Sequence, residues 1–547
     1  MSVTPQARSR GAAPNEPKTL SVGGWDGMDL TNSRLQRGQA DKLYLAENLM
    51  YVGQGMQAVP LYNGAAGVTL HAGSLVKESF GAELTYGANP VPHPVSIVVF
   101  EDGAAYMRDH YLDGAVDTQI AAPGTFAPSS MGATGISIWQ DGPVLFVDPL
   151  AGYCQWTGTA FSVIDASKKG SRLAVFESHV WLVTAARTIT YTAPNSFSDF
   201  TAGNGAGSFR LTDDAFPGAI TQVASTVEQL WIMGIGAIDA LGNVATAGGV
   251  TTFNVTNAIT TLGTNFGDSV IGFFRALTFF TGYSLHSLLG VTPQKLSATV
   301  DRLMAALSGA ITAGPRPGVV TLNGQTVLCL LGRFTDPASG VARSELLCFQ
   351  EGKLWLARTP DLNGNRVLDM VTLYVGNTPE LYGIDAGGFL YRLFARPRDV
   401  AKGTGTLSTR LYDLGDPVAG HQGVRVGVDL SAPSPIAIST VTMTLVSERQ
   451  ARTRTQPIKF GDVIDSLLGL RYALYRGDAP IEGQRIGVTL QVQASDRVCI
   501  EAVHLEVTET GRWGALEVAI MKVLFTNATG QRAHFVNSAG TSVFWLN

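Results

Sequence analysis

Charge is scarce in this chain: only 15% of its 547 residues are Asp, Glu, Lys or Arg. A surface with so little charge is polar and neutral, or is covered by other subunits. The balance, 39 Lys and Arg against 44 Asp and Glu, leaves a net charge of −5. That argues against a protein that grips nucleic acid through clustered cations, though not against one past which DNA slides. Cysteine is nearly absent too. Cys154, Cys329, Cys348 and Cys499 have no CxxC or metal-ligand spacing, so they read as reduced core residues of a protein assembled in a cytoplasm. Cys329 and Cys348 either face each other across a hairpin or serve as two small buried hydrophobes. The eight His show no i, i+3 or i, i+4 pairing that would build a metal site. Long apolar runs are missing as well: VIGFFRALTFF, at 270 to 280, is too short and interrupted to span a bilayer. The first 20 residues carry Arg8, Arg10 and Lys18 without an apolar run, which predicts a flexible arm rather than a secretory leader.

What the chain has instead is glycine, 62 residues of it, and 45% hydrophobic residues, a composition suited to many tight turns between short strands. Between Ser171 and Leu241 an apolar run, a polar turn and a second apolar run recur, with Trp181 and Trp231 placed 50 residues apart. A period of roughly 40 to 50 residues with several strands each is the pattern of a β-propeller blade. Strand-like centres fall near Val99, Phe146, Trp181, Trp231, Phe279, Leu328 and Leu390, at separations of 47, 35, 50, 48, 49 and 62 residues. The 35 and the 62 break the pattern, leaving an expectation of about six blades. Asp102-Gly103, Asp141-Gly142, Gly324 and Gly352 supply hairpin turns.

The whole reads as an all-β chain in four parts. Residues 1–20 form the arm, and 21–400 the propeller, whose lead-in from Ser21 to Asn63 includes ENLMYVGQGMQAVP. Residues 401–513 form a β-sandwich-like domain, and 514–547 an apolar extension that docks on this molecule or a neighbour. The sandwich is read from strict alternation at Val424, Val426, Val428 and Leu430, at Val441, Met443 and Leu445, at Ile486, Val488, Leu490 and Val492, and at Val503, Leu505 and Val507. One helix is expected over 293–308, capped by Thr292 and Pro293, stopped by Gly309, with Leu296, Val300, Leu303, Met304 and Leu307 on one face.

Candidate sites are weak. GNGAGS at 203–208 lacks the Lys-Ser/Thr of a phosphate loop, and GIGAIDALG at 234–242 lies among strands without a βαβ unit. Asp361, Asn363 and Asn365 alternate as in a calcium loop, yet Arg366 stands where Gly is needed and Thr372 where a bidentate Glu should be. An Asx-rich turn is the competing reading. His179, beside Trp181, reads as a structural partner, and Ser196 to Phe200 departs from the sialidase-type turn. No catalytic, cofactor or metal residue is assigned, and no enzyme is expected.

Several stretches, taken in order, resemble the tail hub or nozzle proteins of short-tailed bacteriophages, also called packaged-DNA stabilisation proteins. They are ENLMYVGQGMQAVP (47–60), RLAVFESHVWLVTAARTITYTAPNSFSDF (172–200), GAITQVASTVEQLWIMGIGAI (218–238), GYSLHSLLGVTPQKLSATVDRLMAAL (282–307) and the closing Gly511-Arg512-Trp513. Val59-Pro60 lacks the family's preceding Arg, and Trp513 replaces a second Arg. The resemblance implies a homo-oligomeric ring, usually hexameric, in the virion tail beneath the portal and its adaptor. It meets tail tip or fibre proteins, and DNA passes without specific binding. An acidic lumen suits such sliding, because it repels phosphate. Two other classes stay open: a propeller that binds a receptor or glycan, and, more distantly, a propeller hydrolase needing a facing carboxylate pair.

Overall fold

The computed structural model describes residues 17 to 512 except 32–33, 35–40, 60, 62–66, 88–90, 112–116, 141, 213, 306–314, 336–341, 359–364, 395–402, 414–418, 433–438, 458–459, 461–463, 466, 469 and 495–497, together with Phe535–Val536 and Ser542–Val543. The chain is a β-propeller joined to a β-sandwich, as expected. Six four-stranded sheets stand separately as blades. Five of them open with Val76–Leu84, Gly135–Ile138, Arg172–Phe176, Ile220–Ser225 and Ile271–Phe273, and each is an antiparallel meander. The last consists of Val367–Val375, Thr378–Asp385 and Phe389–Arg392, and its fourth strand, Val68–Thr69, comes from the chain's other end. That pairing closes the ring. Between the fifth blade and the last, the strands Arg316–Leu322, Gln325–Thr335, Ala342–Gln350 and Lys353–Arg358 fill one more sector.

Each expected strand centre up to Leu328 falls in the second strand of its sector. Leu390 lies in the third strand of the last blade, which is why its spacing came out long. The 35-residue step reflects the second blade, whose four strands run only from Gly135 to Asp165. Trp181 is fully buried between the third and fourth blades, its Nε1 donating to the Phe176 carbonyl at 3.0 Å. Trp231 packs with Phe279 and Leu288 of the fifth blade, and its Nε1 reaches Thr226 Oγ1 at 3.1 Å. Both are blade-core residues. Near the axis, glycine is required by proximity rather than by turns. A Cβ on Gly81 would lie 2.0 Å from the Thr372 carbonyl oxygen, and one on Gly135 2.7 Å from the Arg172 Cα.

The sandwich follows the expected alternation closely: Val426, Val428, Leu430, Val441, Met443, Leu445, Val488, Leu490, Val492, Val503 and Leu505 are all buried. Val424 falls at a β-bulge between Gly423 and Arg425 and is half-buried.

Three expectations need correction. The lead-in from Ser21 onward forms no blade of the propeller; its strands pair mainly with the sandwich, and with the propeller only along Lys353–Arg358. Lys18–Gly23 pairs along Cys499–Arg512, Gly55–Ala58 touches the same strand at Cys499 and Ile500, and Leu45–Glu47 pairs with Gly403–Ser408. These residues are short and apolar on one side, and they complete the open edges of the sandwich sheets. Lys18 to Leu20, assigned to the arm, is likewise strand; residues 1–16 lie outside the described part. The third correction concerns the helix over 293–308. Thr292–Lys295 is instead the outer strand of the fifth blade, where Pro293 is tolerated because an edge strand needs no donor on its open side. Helical turns begin at Ala298, and the α-helix is Asp301–Ala305. Val300 and Met304 are buried, as the apolar face implied. Leu307, Gly309, Trp513 and most of 514–547 lie outside the described residues.

Leu45–Glu47 lies between Lys353–Arg358 of the propeller and Gly403–Ser408 of the sandwich, so one nine-stranded sheet runs through both. Side chains reinforce the join. Asn48 donates to the Thr404 carbonyl at 3.2 Å and accepts from the Arg358 amide at 2.7 Å, and fully buried Arg410 pairs with Asp29 at 3.1 Å.

Candidate functional sites on the axis and on the sandwich face

First strands converge on the propeller axis, around a cavity of about 400 Å³. Five charged side chains from five sectors meet there: Glu78, Arg172, Asp268, Arg316 and Asp369. Arg172 bridges Glu78 at 3.6 Å and Asp268 at closer range. Arg316 reaches Glu78 at 3.0 Å, Asp268 at 3.3 Å and Asp369 at 3.5 Å. Arg316 also donates to the Lys77 carbonyl at 2.9 Å, and Arg172 to that of Thr221 at 3.2 Å.

Three carboxylates thus share two guanidiniums, which leaves one negative charge in excess. Burial pushes the Glu78 carboxyl up to about 7, with the neighbouring Asp268 adding to the effect and Arg316 and Arg172 only partly opposing it. Burial also opposes ionisation of Asp268, but Arg172 and Arg316 outweigh it and hold that group below its ordinary range. Asp369 is raised by burial, against the pull of Arg316. The cluster therefore holds a proton on Glu78 more readily than an exposed glutamate would. A related latch joins the first two blades. Buried Lys77 faces Asp148 at 3.6 Å and donates to Thr134 Oγ1 at 2.7 Å and to the Ala127 carbonyl at 2.6 Å. Burial lowers the pKa of this lysine, partly countered by Asp148.

The sandwich carries a different kind of site. On the outer face of the sheet containing Ala419–Ala432 lies a groove of about 650 Å³. Ser21 Oγ hydrogen-bonds His504 Nδ1 at 2.8 Å, and His504 Nε2 meets Asp429 Oδ2 at 2.9 Å. This is a Ser–His–Asp chain in connectivity, but the serine sits at Nδ1 and the carboxylate at Nε2, the reverse of the nucleophilic triad. Ser21 also lies within a flat strand, opposite His504 in register, instead of on an exposed turn. The chain thus orders the groove wall.

Residues singled out in the sequence are structural where described. His179 Nδ1 lies 2.6 Å from the Thr192 carbonyl oxygen. Gly203 and Asn204 form a single 3-10 turn before the last strand of the third blade, and Gly234 to Ala237 is a hairpin connection. Ser196 Oγ accepts from the Asp199 amide at 3.1 Å, and Asp199 accepts from the Thr201 amide at 2.8 Å. Of the Asp361 to Asp369 stretch, Asp361 to Gly364 lie outside the described residues, whereas Asp369 belongs to the axial cluster. Cys329 and Cys348 do face each other in register, with sulfurs 3.7 Å apart, and both are buried free thiols. Among the described residues there is no group of three or more His, Cys, Asp or Glu placed to hold a metal, and no helix is long and apolar enough to cross a membrane.

Neither the axial cluster nor the groove is legible in the sequence: the axial charges come from strands of different sectors, from Glu78 to Asp369, and the groove sets Thr19 and Ser21 from the start of the chain against residues between Arg425 and Glu506. The usable signal was alternation, which puts Asp429 and His504 on the outward face of their strands.

The fold and its two sites define a propeller continuous with a polar-faced sandwich. No protein-family model matches this chain, and no curated protein matches it. Among solved structures it is similar to a mutant of AofleA from Arthrobotrys oligospora, at 12% identity over 53% of this chain and 88% of that one, with a TM-score of 0.31. It is also similar to the Trypanosoma rangeli sialidase in complex with the inhibitor DANA, at 8% identity over 85% and 94%, with a TM-score of 0.29. A third is exo-beta-1,3-galactanase from Phanerochaete chrysosporium, at 12% over 82% and 99%, with a TM-score of 0.22. Scores of this size carry no argument, so the fold rests on the strand topology described above.

Proposed function

We propose that this chain is a structural protein of a bacteriophage tail, a ring-forming nozzle or hub beneath the portal and adaptor that retains packaged DNA and gives it passage on ejection. The observation that supports the reading is the order and fusion of parts: a propeller, then a smaller β-domain, joined by one nine-stranded sheet. A part that bears internal pressure benefits from such a join, because the two bodies cannot hinge without breaking backbone hydrogen bonds. In this reading DNA runs between copies of the chain. Each propeller's own axis is filled by the Glu78, Arg172, Asp268, Arg316 and Asp369 side chains and leaves a cavity of only about 400 Å³, too little space for a duplex to thread. The role is mechanical and is carried by interfaces. Assembly takes place in the host cytoplasm, and the working location is the virion. The test is negative-stain microscopy of the purified chain alone and mixed with a portal–adaptor complex. Rings of about six copies seated on the adaptor are expected; a chain that stays monomeric and ignores the adaptor overturns the proposal.

A further inference from the structure

We infer that the groove on the outer face of the sandwich is a binding site for an uncharged saccharide. Its floor is set by Gly427, which stands in register between His504 on one neighbouring strand and Arg476 on the other. Any side chain at position 427 would project between those two walls, so the absence of one opens the depression of about 650 Å³. Tyr472 forms one margin and is 47% exposed, a large aromatic left in water on a polar sheet face. An aromatic ring beside a polar slot offers an apolar face together with hydrogen-bonding neighbours, which matches the C–H face and the hydroxyl rim of a pyranose.

The polar groups are pre-set. His504 is held between Ser21 and Asp429, and Ser431 Oγ is 2.5 Å from Glu501 Oε1. Arg425 is fixed by Asp478 at 2.7 Å and by Glu506 at 3.4 Å. Asp429 Oδ1 is shielded from solvent and has no hydrogen-bond partner among the described residues. The side chain as a whole is 41% exposed through its other oxygen, Oδ2, which can accept from a sugar hydroxyl as well as from His504. Arg476 makes no ion pair among the described residues, so its guanidinium can donate to a second hydroxyl. Charge selects the class of ligand: Asp429, Glu501 and Glu506 face Arg425 and Arg476, a balance that disfavours phosphate, sialic acid or nucleic acid. Few, convergent polar groups beside an aromatic surface are the usual make-up of a small-molecule site. The inference is independent of ring assembly, since the groove lies within one chain.

The test uses the full-length protein on an array of neutral and anionic oligosaccharides, followed by titration of the best neutral binder by saturation-transfer NMR. Saturable binding of a neutral saccharide is expected, with anionic sugars weaker. Tyr472→Ala and Gly427→Val should each weaken it at least tenfold while the melting temperature stays unchanged; Arg476→Ala reports on the same wall should Gly427→Val unfold the sheet. Absence of saturable neutral binding, tighter binding of an anionic sugar, or binding indifferent to Tyr472→Ala and Arg476→Ala would each overturn the assignment.

Discussion

The propeller hides its charges and the sandwich displays them. At the axis, Arg316 is 7% exposed and touches three carboxylates from three other sectors, so the pairing ties the ring together across its narrowest point. On the sandwich face, Arg425 pairs just as closely with Asp478, yet both side chains stay largely in water. Equal distances therefore carry unequal weight. A buried ion pair is strongly destabilised when one partner is lost, whereas an exposed one is screened and barely registers. Such pairs also do different jobs, the first fixing a fold and the second leaving groups available to a ligand.

The contrast can be broken most severely at the axis. Arg316→Met should destabilise the protein by about 3–5 kcal/mol, because Asp369 then loses its guanidinium and Glu78 and Asp268 are left with Arg172 alone; a change in denaturation free energy below about 1 kcal/mol would show that the cluster does not tie the ring together. Trp181→Ala should be comparable, about 3–5 kcal/mol, through loss of blade-to-blade packing, and urea unfolding measures it.

Next comes pH. The Glu78 carboxyl titrates higher in the folded state than in the unfolded chain, so the folded state binds the extra proton and stability falls as pH rises. The window runs from the ordinary glutamate value of 4.5 to about 7. Glu78→Gln should remove a fall on the order of 3 kcal/mol across that window. Asp369 is raised too and acts in the same sense, while Asp268 is lowered and contributes only below its ordinary 3.8. Wild-type and Glu78→Gln melting profiles that overlay from pH 4.5 to 7.5 would count against the shared proton. The smallest effect belongs to the sandwich face: Arg425→Ala should leave the melting temperature within scatter, and a clear drop would show that the exposed face bears load after all.

How much of this was legible in the sequence differs between the same two regions. The sandwich strands could be read almost residue by residue, since a sheet with one wet face writes its register into a two-residue alternation, as at Val441, Met443 and Leu445. Blades could be counted only through their second strands, the ones buried on both faces; the count of about six agrees with the structure, and the irregular last spacing arises because Leu390 lies in a third strand. The partners of the first strands escaped altogether. Ser21 lies 483 residues from His504, and Arg316 lies 238 from Glu78. No local pattern encodes which charge will meet which across a ring. Likewise, LSATVDRLM has an apolar face at helical spacing, but TPQK before it is claimed by the open edge of Leu285–Leu289, a tertiary demand that overrides local preference.

The sandwich takes strands from both ends of the described chain, with the propeller threaded between Gly55–Ala58 and Gly403–Ser408. During synthesis this imposes an order of events. Ribosomes add roughly 5–20 residues per second, so the strands up to Ala58 emerge tens of seconds before the partners that complete their sheets. Five blades are made wholly from neighbouring stretches and can form as they appear. The early strands must wait with unpaired edges until the last segment, ending at Arg512, is released and the two ends are buckled together.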